Sequence, residues 1–383
     1  MTQNPTTFAL KGAVCFSTDS RHLTCLEDAY LVCQDGRSVG VFPKLPEHFS
    51  RIPVRNVSPC LIIPGMTDLH LHAPQYAFHG MYMDLELLDW LNTVTFPEES
   101  RYSDPDYAAK AYTIFADDIK KSATTRASVF GTLHVEASEL LMDLMEKTGL
   151  RTFIGKVNMD RNGSATLQEK SAVVSVRDTV RWLTDTAGKY ENVKPILTPR
   201  FTPSCTDELM TGLAEIQRTY CLPVQSHLSE NQSEIAWVKE LCPGTSFYGE
   251  AYDQFGLFGG ENCPTIMAHC VYSSDAEISL MKKRGIFIAH SPTPIFPPGS
   301  HRHGVISMKD FTSDSALISQ AVIHSPCFAQ SQMPFRYQNF AGDLWMTLSN
   351  RFLSKKPFIW PRWAAVHFSE KSAHSWKATS LMH

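Results

Sequence analysis

Residues 60–72 read CLIIPGMTDLHLH, an apolar run interrupted by Pro64-Gly65 and closing on His70 and His72. In a strand, side chains at i and i+2 share a face, so both imidazoles point the same way. Short apolar runs that end on polar side chains recur downstream as ASVFGTLHV, RTFIGKVNMD, KPILTPRFT, LPVQSHLS, PTIMAHCVY and GIFIAHSP. Between them lie stretches with apolar residues at helical spacing, including Asp104 to Lys121, Thr179 to Lys189, Thr206 to Thr219 and Ser274 to Arg284. Seven strands alternating with crossover helices predict an α/β fold, a (β/α)8 TIM-type barrel with its eighth strand missing from the pattern. In that fold the strand C-termini line the active site, which is where His70 and His72 fall.

Upstream, residues 1–60 alternate short strands with turns. Ala29 to Phe42 form a predicted hairpin, with Gln34-Asp35-Gly36 as its turn. Downstream the texture changes again. Residues 291–383 hold only four of the 39 acidic residues but four of the seven tryptophans, and their periodicity fades. The expected division is therefore 1–60, then a barrel over 61–292, then an aberrant tail over 293–383. A net charge of −4 gives no general reason to expect nucleic acid as a partner. No run approaches the ~18 apolar residues a membrane helix needs. The ten cysteines form no CxxC pair and read as reduced thiols. With no basic segment and apolar run at the start, the expected location is the cytoplasm.

Histidines recur at the ends of the predicted strands: His134, His227, His269 and His290 join His70 and His72 there. Convergent imidazoles at one barrel mouth suit a divalent metal. Glu230 follows His227 by three residues, close enough to serve as a carboxylate beside a metal that moves protons without binding it. Arg200-Phe201 offers a planar cation and a ring to a planar, conjugated substrate, and Gln75 adds an amide that both donates and accepts. Another zinc-site design pairs H-x-E with PCxxC. His134-Val135-Glu136 supplies only its first half, and no H-E-x-x-H protease helix occurs either.

PGMTDLHLHAPQYAFHG, LTPRFTPSC, QSHLSENQSEIAWVKEL and MAHCVY together resemble the guanine deaminases of the amidohydrolase superfamily, over roughly residues 8 to 292. The resemblance implies one zinc ion held by His70, His72 and His227, with Glu230 as proton shuttle and His269 steadying the attacking hydroxide. It implies a guanine pocket that includes His72, Gln75, Arg200, Phe201, His227, Leu228 and Glu230. A small flanking β-sandwich completed by C-terminal strands and a homodimer in the intact family are implied as well. The implied reaction is hydrolysis of guanine to xanthine and ammonia, with neither nucleic acid nor membrane as partner. Other purine or triazine amidohydrolases, and a degenerate chain without activity, are the competing expectations.

The family pattern also requires an aspartate at the end of the eighth strand, in a segment like GLGSD. None follows His290-Ser291-Pro292. Written as codons and read from each third base, residues 311–335 yield HIGFGSDISAGHSLSMFRAITDAI, placing the missing aspartate across the codons of Leu317 and Ile318. The tail from about Thr293 is therefore expected to be a frameshifted product.

Overall fold

A computed structural model describes residues 7–17, 23–82 and 85–291, and beyond them the backbone of three short strands. The chain divides into two units.

The first unit is built on β1 (Thr7–Ser17), β2 (Leu23–Gln34), β3 (Arg37–Phe42) and β4 (Val54–Pro64). The hairpin forms as its turn residues predict. Gln34 faces Arg37 across Asp35-Gly36, both of which take positive φ. Leu10, Val14, Ala29, Leu31, Val57 and Ile62 pack as its core, with Phe8, Phe16, Leu26 and Val41 against them. Two of the C-terminal strands, Ala365–Phe368 and Trp376–Ala378, pair with β4 and β3 and close a six-stranded ring, where the resemblance implied a sandwich. β4 runs through Pro64, so this unit extends past the expected limit at residue 60.

The second unit alternates strands and helices. Its strands are β5 (Met66–His72), β6 (Thr124–Phe130), β7 (Arg151–Gly155), β8 (Val157–Asn158), β9 (Val193–Pro195), β10 (Thr198–Pro199), β11 (Val224–Leu228), β12 (Thr265–His269) and β13 (Phe287–His290). They lie in parallel sheets of order β5-β6-β7-β9, β8-β10 and β11-β12-β13, the strand succession of a TIM-type barrel. β14 (Ile318–Gln320) extends the last sheet, pairing parallel with β13 from Ile288↔Ile318 to His290↔Gln320. A short strand thus stands beside β13, where the sequence pattern showed none. Three residues without alternation leave no periodic signal to read. The remainder of the expected aberrant tail lies outside the described residues.

The longer helices are α1 (Pro105–Lys121), α2 (Val135–Thr148), α3 (Ala172–Thr186), α4 (Asp207–Tyr220), α5 (Gln232–Leu241) and α6 (Asp275–Arg284). Their ends follow local chemistry. Ser171, Thr206 and Ser274 each accept a first-turn backbone N–H, and Asn231 with Glu234 forms a capping box at α5. Gly149 and Gly285 end α2 and α6 in the left-handed conformation. Among the described residues no helix is long and apolar enough to cross a membrane.

Candidate metal centre and its surroundings

The period of two along β5 places His70 and His72 together. Their ring centroids are 4.9 Å apart and nearly perpendicular. Asp68, two residues earlier, is buried and accepts the His70 backbone N–H at 3.1 Å. His227 arrives from β11 and His269 from the end of β12. One ligand atom each from His70, His227 and His269 lies within 4.8 Å of the others. His72 joins through His227, with their Nε2 atoms 3.0 Å apart, and its ring stacks on Phe130 at 4.4 Å. Four of the six histidines singled out from the sequence, His70, His72, His227 and His269, therefore converge. His269, expected to act on the hydroxide, stands within ligand reach as well.

These side chains fit a divalent cation. His227 Nδ1 donates to the Arg200 carbonyl at 2.6 Å, which leaves Nε2 with its lone pair facing the cluster. Burial holds the His227 imidazole down to about 3, so it is neutral and able to coordinate at ordinary pH.

Glu230 Oε2 lies 3.4 Å from His269 Nε2, and burial pushes its carboxyl well up from the ordinary range. The turn carrying it is pinned by a second acid. Glu234 accepts the backbone N–H groups of Glu230 at 3.0 Å and Asn231 at 3.4 Å, and the Tyr248 hydroxyl at 2.9 Å. A third, Glu277, accepts from Ser229 Oγ and the Gly249 N–H. Ser229, His269 and Cys270 all take positive φ, an uncommon conformation for residues with side chains. Three such residues where β11 and β12 end mark a backbone shaped around this cluster.

Arg200 is 2% exposed and forms a two-point ion pair with Glu99, 2.5 Å from Nη1 and 3.1 Å from Nη2. Gln75 Nε2 donates to the same carboxylate at 3.2 Å. Phe201 belongs to a buried cluster with Leu87, Leu91, Phe96, Phe130 and Met159 among others, and Trp237 meets it edge-on at 6.2 Å. Leu228 is fully buried. Two further histidines stand apart. β6 ends at Phe130, so His134 does not close a strand; it precedes α2, and burial lowers its imidazole. His290 ends β13 and its Nδ1 donates to the His269 carbonyl at 2.9 Å. Sequence reasoning missed Glu99, Glu234 and Glu277, whose partners come from other elements.

The model of the amidohydrolase family matches residues 61–341. A guanine deaminase of Rattus norvegicus is 44% identical over 231 residues, covering 60% of this chain and 50% of its own length. One of Escherichia coli K12 is 35% identical over 295 residues, covering 75% and 64% respectively. The crystal structure of a guanine deaminase from C. acetobutylicum, with guanine bound in its active site, superposes with a TM-score of 0.79 at 40% identity, covering 93% of this chain and 83% of that one. The chain spans about half the length of the rat protein.

Proposed function

This chain belongs to the amidohydrolase family, and we propose that it is a guanine-directed hydrolase, removing the 2-amino group with water to give xanthine and ammonia. The observation that carries the proposal is the meeting of His70, His227 and His269, with Glu230 3.4 Å from His269, at the ends of three strands.

His70, His72 and His227 would hold one zinc ion, with His269 beside them. Zinc, when bound, supplies Lewis-acid activation that makes hydroxide available near neutral pH. Glu230 accepts a proton from water and passes it to the ring nitrogen next to the attacked carbon, which breaks the aromatic stabilisation opposing attack. Left as a carboxylate, Glu230 then takes the proton from the hydroxyl added at that carbon as it becomes a carbonyl, and delivers it to the departing amine, so that water and guanine become xanthine and ammonia with no proton left over. A buried carboxyl raised in pKa suits both halves of that transfer. Arg200 and Gln75 hold the polar edge of the purine, while Phe201 and Leu228 supply the apolar wall. We include in this proposal a homodimer in the cytoplasm.

The aspartate that the family pattern requires is absent after His290-Ser291-Pro292, and we attribute this to a shifted reading frame from about Thr293. The test is to express the chain as written and a frame-restored version, and to follow xanthine formation from guanine. Xanthine from the restored chain supports the assignment. A restored, folded, zinc-loaded chain that leaves guanine intact overturns it.

A further inference from the structure

Glu99 is 1% exposed, and the proton transfer above does not use it. It lies in the short helix Phe96–Ser100, where Pro97 and two acids suit a helix start and would ordinarily stay in water. Instead one carboxylate gathers both Arg200 terminal nitrogens and the Gln75 amide nitrogen. Stability is a weak reason for such an arrangement, because an apolar pair of similar volume often serves a core as well.

What the arrangement does supply is direction. The Arg200 guanidinium carries five N–H groups in one plane. Committing two to Glu99 fixes that plane and leaves three to donate elsewhere. The Phe96 ring, 5.1 Å from Arg200 Cζ, supports the guanidinium. An amide donates at one end and accepts at the other. Because Gln75 Nε2 is committed to Glu99, its Oε1 is left as an acceptor. A single carboxylate thus sets one fixed donor and one fixed acceptor.

We propose that Glu99 is the positioning residue that makes this site select a lactam edge, a ring carbonyl that accepts beside a ring N–H that donates. Guanine carries that pair at its 6-oxo group and N1. A 6-amino purine reverses both, so that donor would face donor and acceptor would face acceptor, with neither satisfied. The inference rests on the guanine assignment and deepens it, since it concerns the edge away from the carbon that loses its amine.

Equilibrium dialysis of the full, zinc-loaded chain against guanine and against 2,6-diaminopurine measures the selection directly. The two ligands share the 2-amino group and differ at position 6. The unaltered chain should favour guanine by ~10²-fold or more. Glu99→Gln frees Gln75 to turn over and weakens the hold on Arg200, so the preference should fall below ~10-fold, mainly through lost guanine affinity. A folded Glu99→Gln chain that keeps the full preference overturns the inference and leaves the guanine assignment standing. An unaltered chain that binds both alike overturns the inference, and one that binds neither purine overturns the assignment with it. If near-UV circular dichroism shows Glu99→Gln to be unfolded, Glu99→Asp decides, since it keeps the charge but withdraws it by one methylene. A reduced preference in that variant supports the positioning role, and an intact one overturns it.

Discussion

Glu230 and His227 divide the chemistry at the scale of single residues. In a frame-restored chain, Glu230→Gln should keep zinc and guanine binding but lose turnover by ~10² or more, because only proton transfer is removed. Steady-state kinetics beside zinc analysis checks this, and undiminished turnover would reject the shuttle role. His227→Ala should instead lower bound zinc per chain, since the Nε2 turned toward the cluster is removed together with its Nδ1 anchor on Arg200. Elemental analysis after dialysis reads that result. His70 and His72 were legible from sequence alone because a period of two fixes their common face without reference to any other element. Glu99 was not legible. Its role arises from a contact with Arg200, 101 residues further on, while its local surroundings read as an ordinary helix start.

At the scale of elements, the turn between β11 and α5 joins structure to function. Asn231 caps α5, and Glu234 ties the Glu230 backbone to the same helix. Asn231→Ala should cost about 1 kcal/mol in urea unfolding, the usual effect of losing such a cap. Burial raises the Glu234 carboxyl to about 7 from an ordinary 4.5. Between those values the folded chain binds more protons than the unfolded one, so this group's contribution to stability falls as pH rises through the window. Glu234→Gln mimics the protonated carboxyl. The variant's thermal midpoint should therefore decline less between pH 5 and pH 7 than that of the unaltered chain, and scanning calorimetry at the two pH values compares them. The barrel strands and the hairpin followed from periodicity and turn chemistry. β14 did not, being three residues long. The buried acids did not either, because a single sequence shows which residues are acidic but not which will lie beneath a neighbouring strand.

On the scale of the whole molecule, the two units carry different information. The site residues sit in the second, between His70 and His269. The first depends on strands far apart in the chain. β1 to β4 become a ring only when Ala365–Phe368 and Trp376–Ala378 take their places beside β4 and β3. A frame-restored chain should exceed the chain as written both in xanthine formation, by ~10² or more, and in thermal midpoint, because it regains a carboxylate at the metal and patterned strands at the ring. Equal values in the two chains would show the tail to be native.

That ring also sets a timetable. A ribosome adds roughly 5–20 residues per second. The interval between finishing β4 at Pro64 and finishing the strand at Phe368 is therefore tens of seconds. Throughout it, β3 and β4 present unpaired backbone edges to whatever else is nearby, a standing invitation to pair with the wrong chain. The nascent protein is most exposed to aggregation while its earliest strands wait for its latest, and a holdase that shields those edges during synthesis would raise the yield of folded chain more than one added after release.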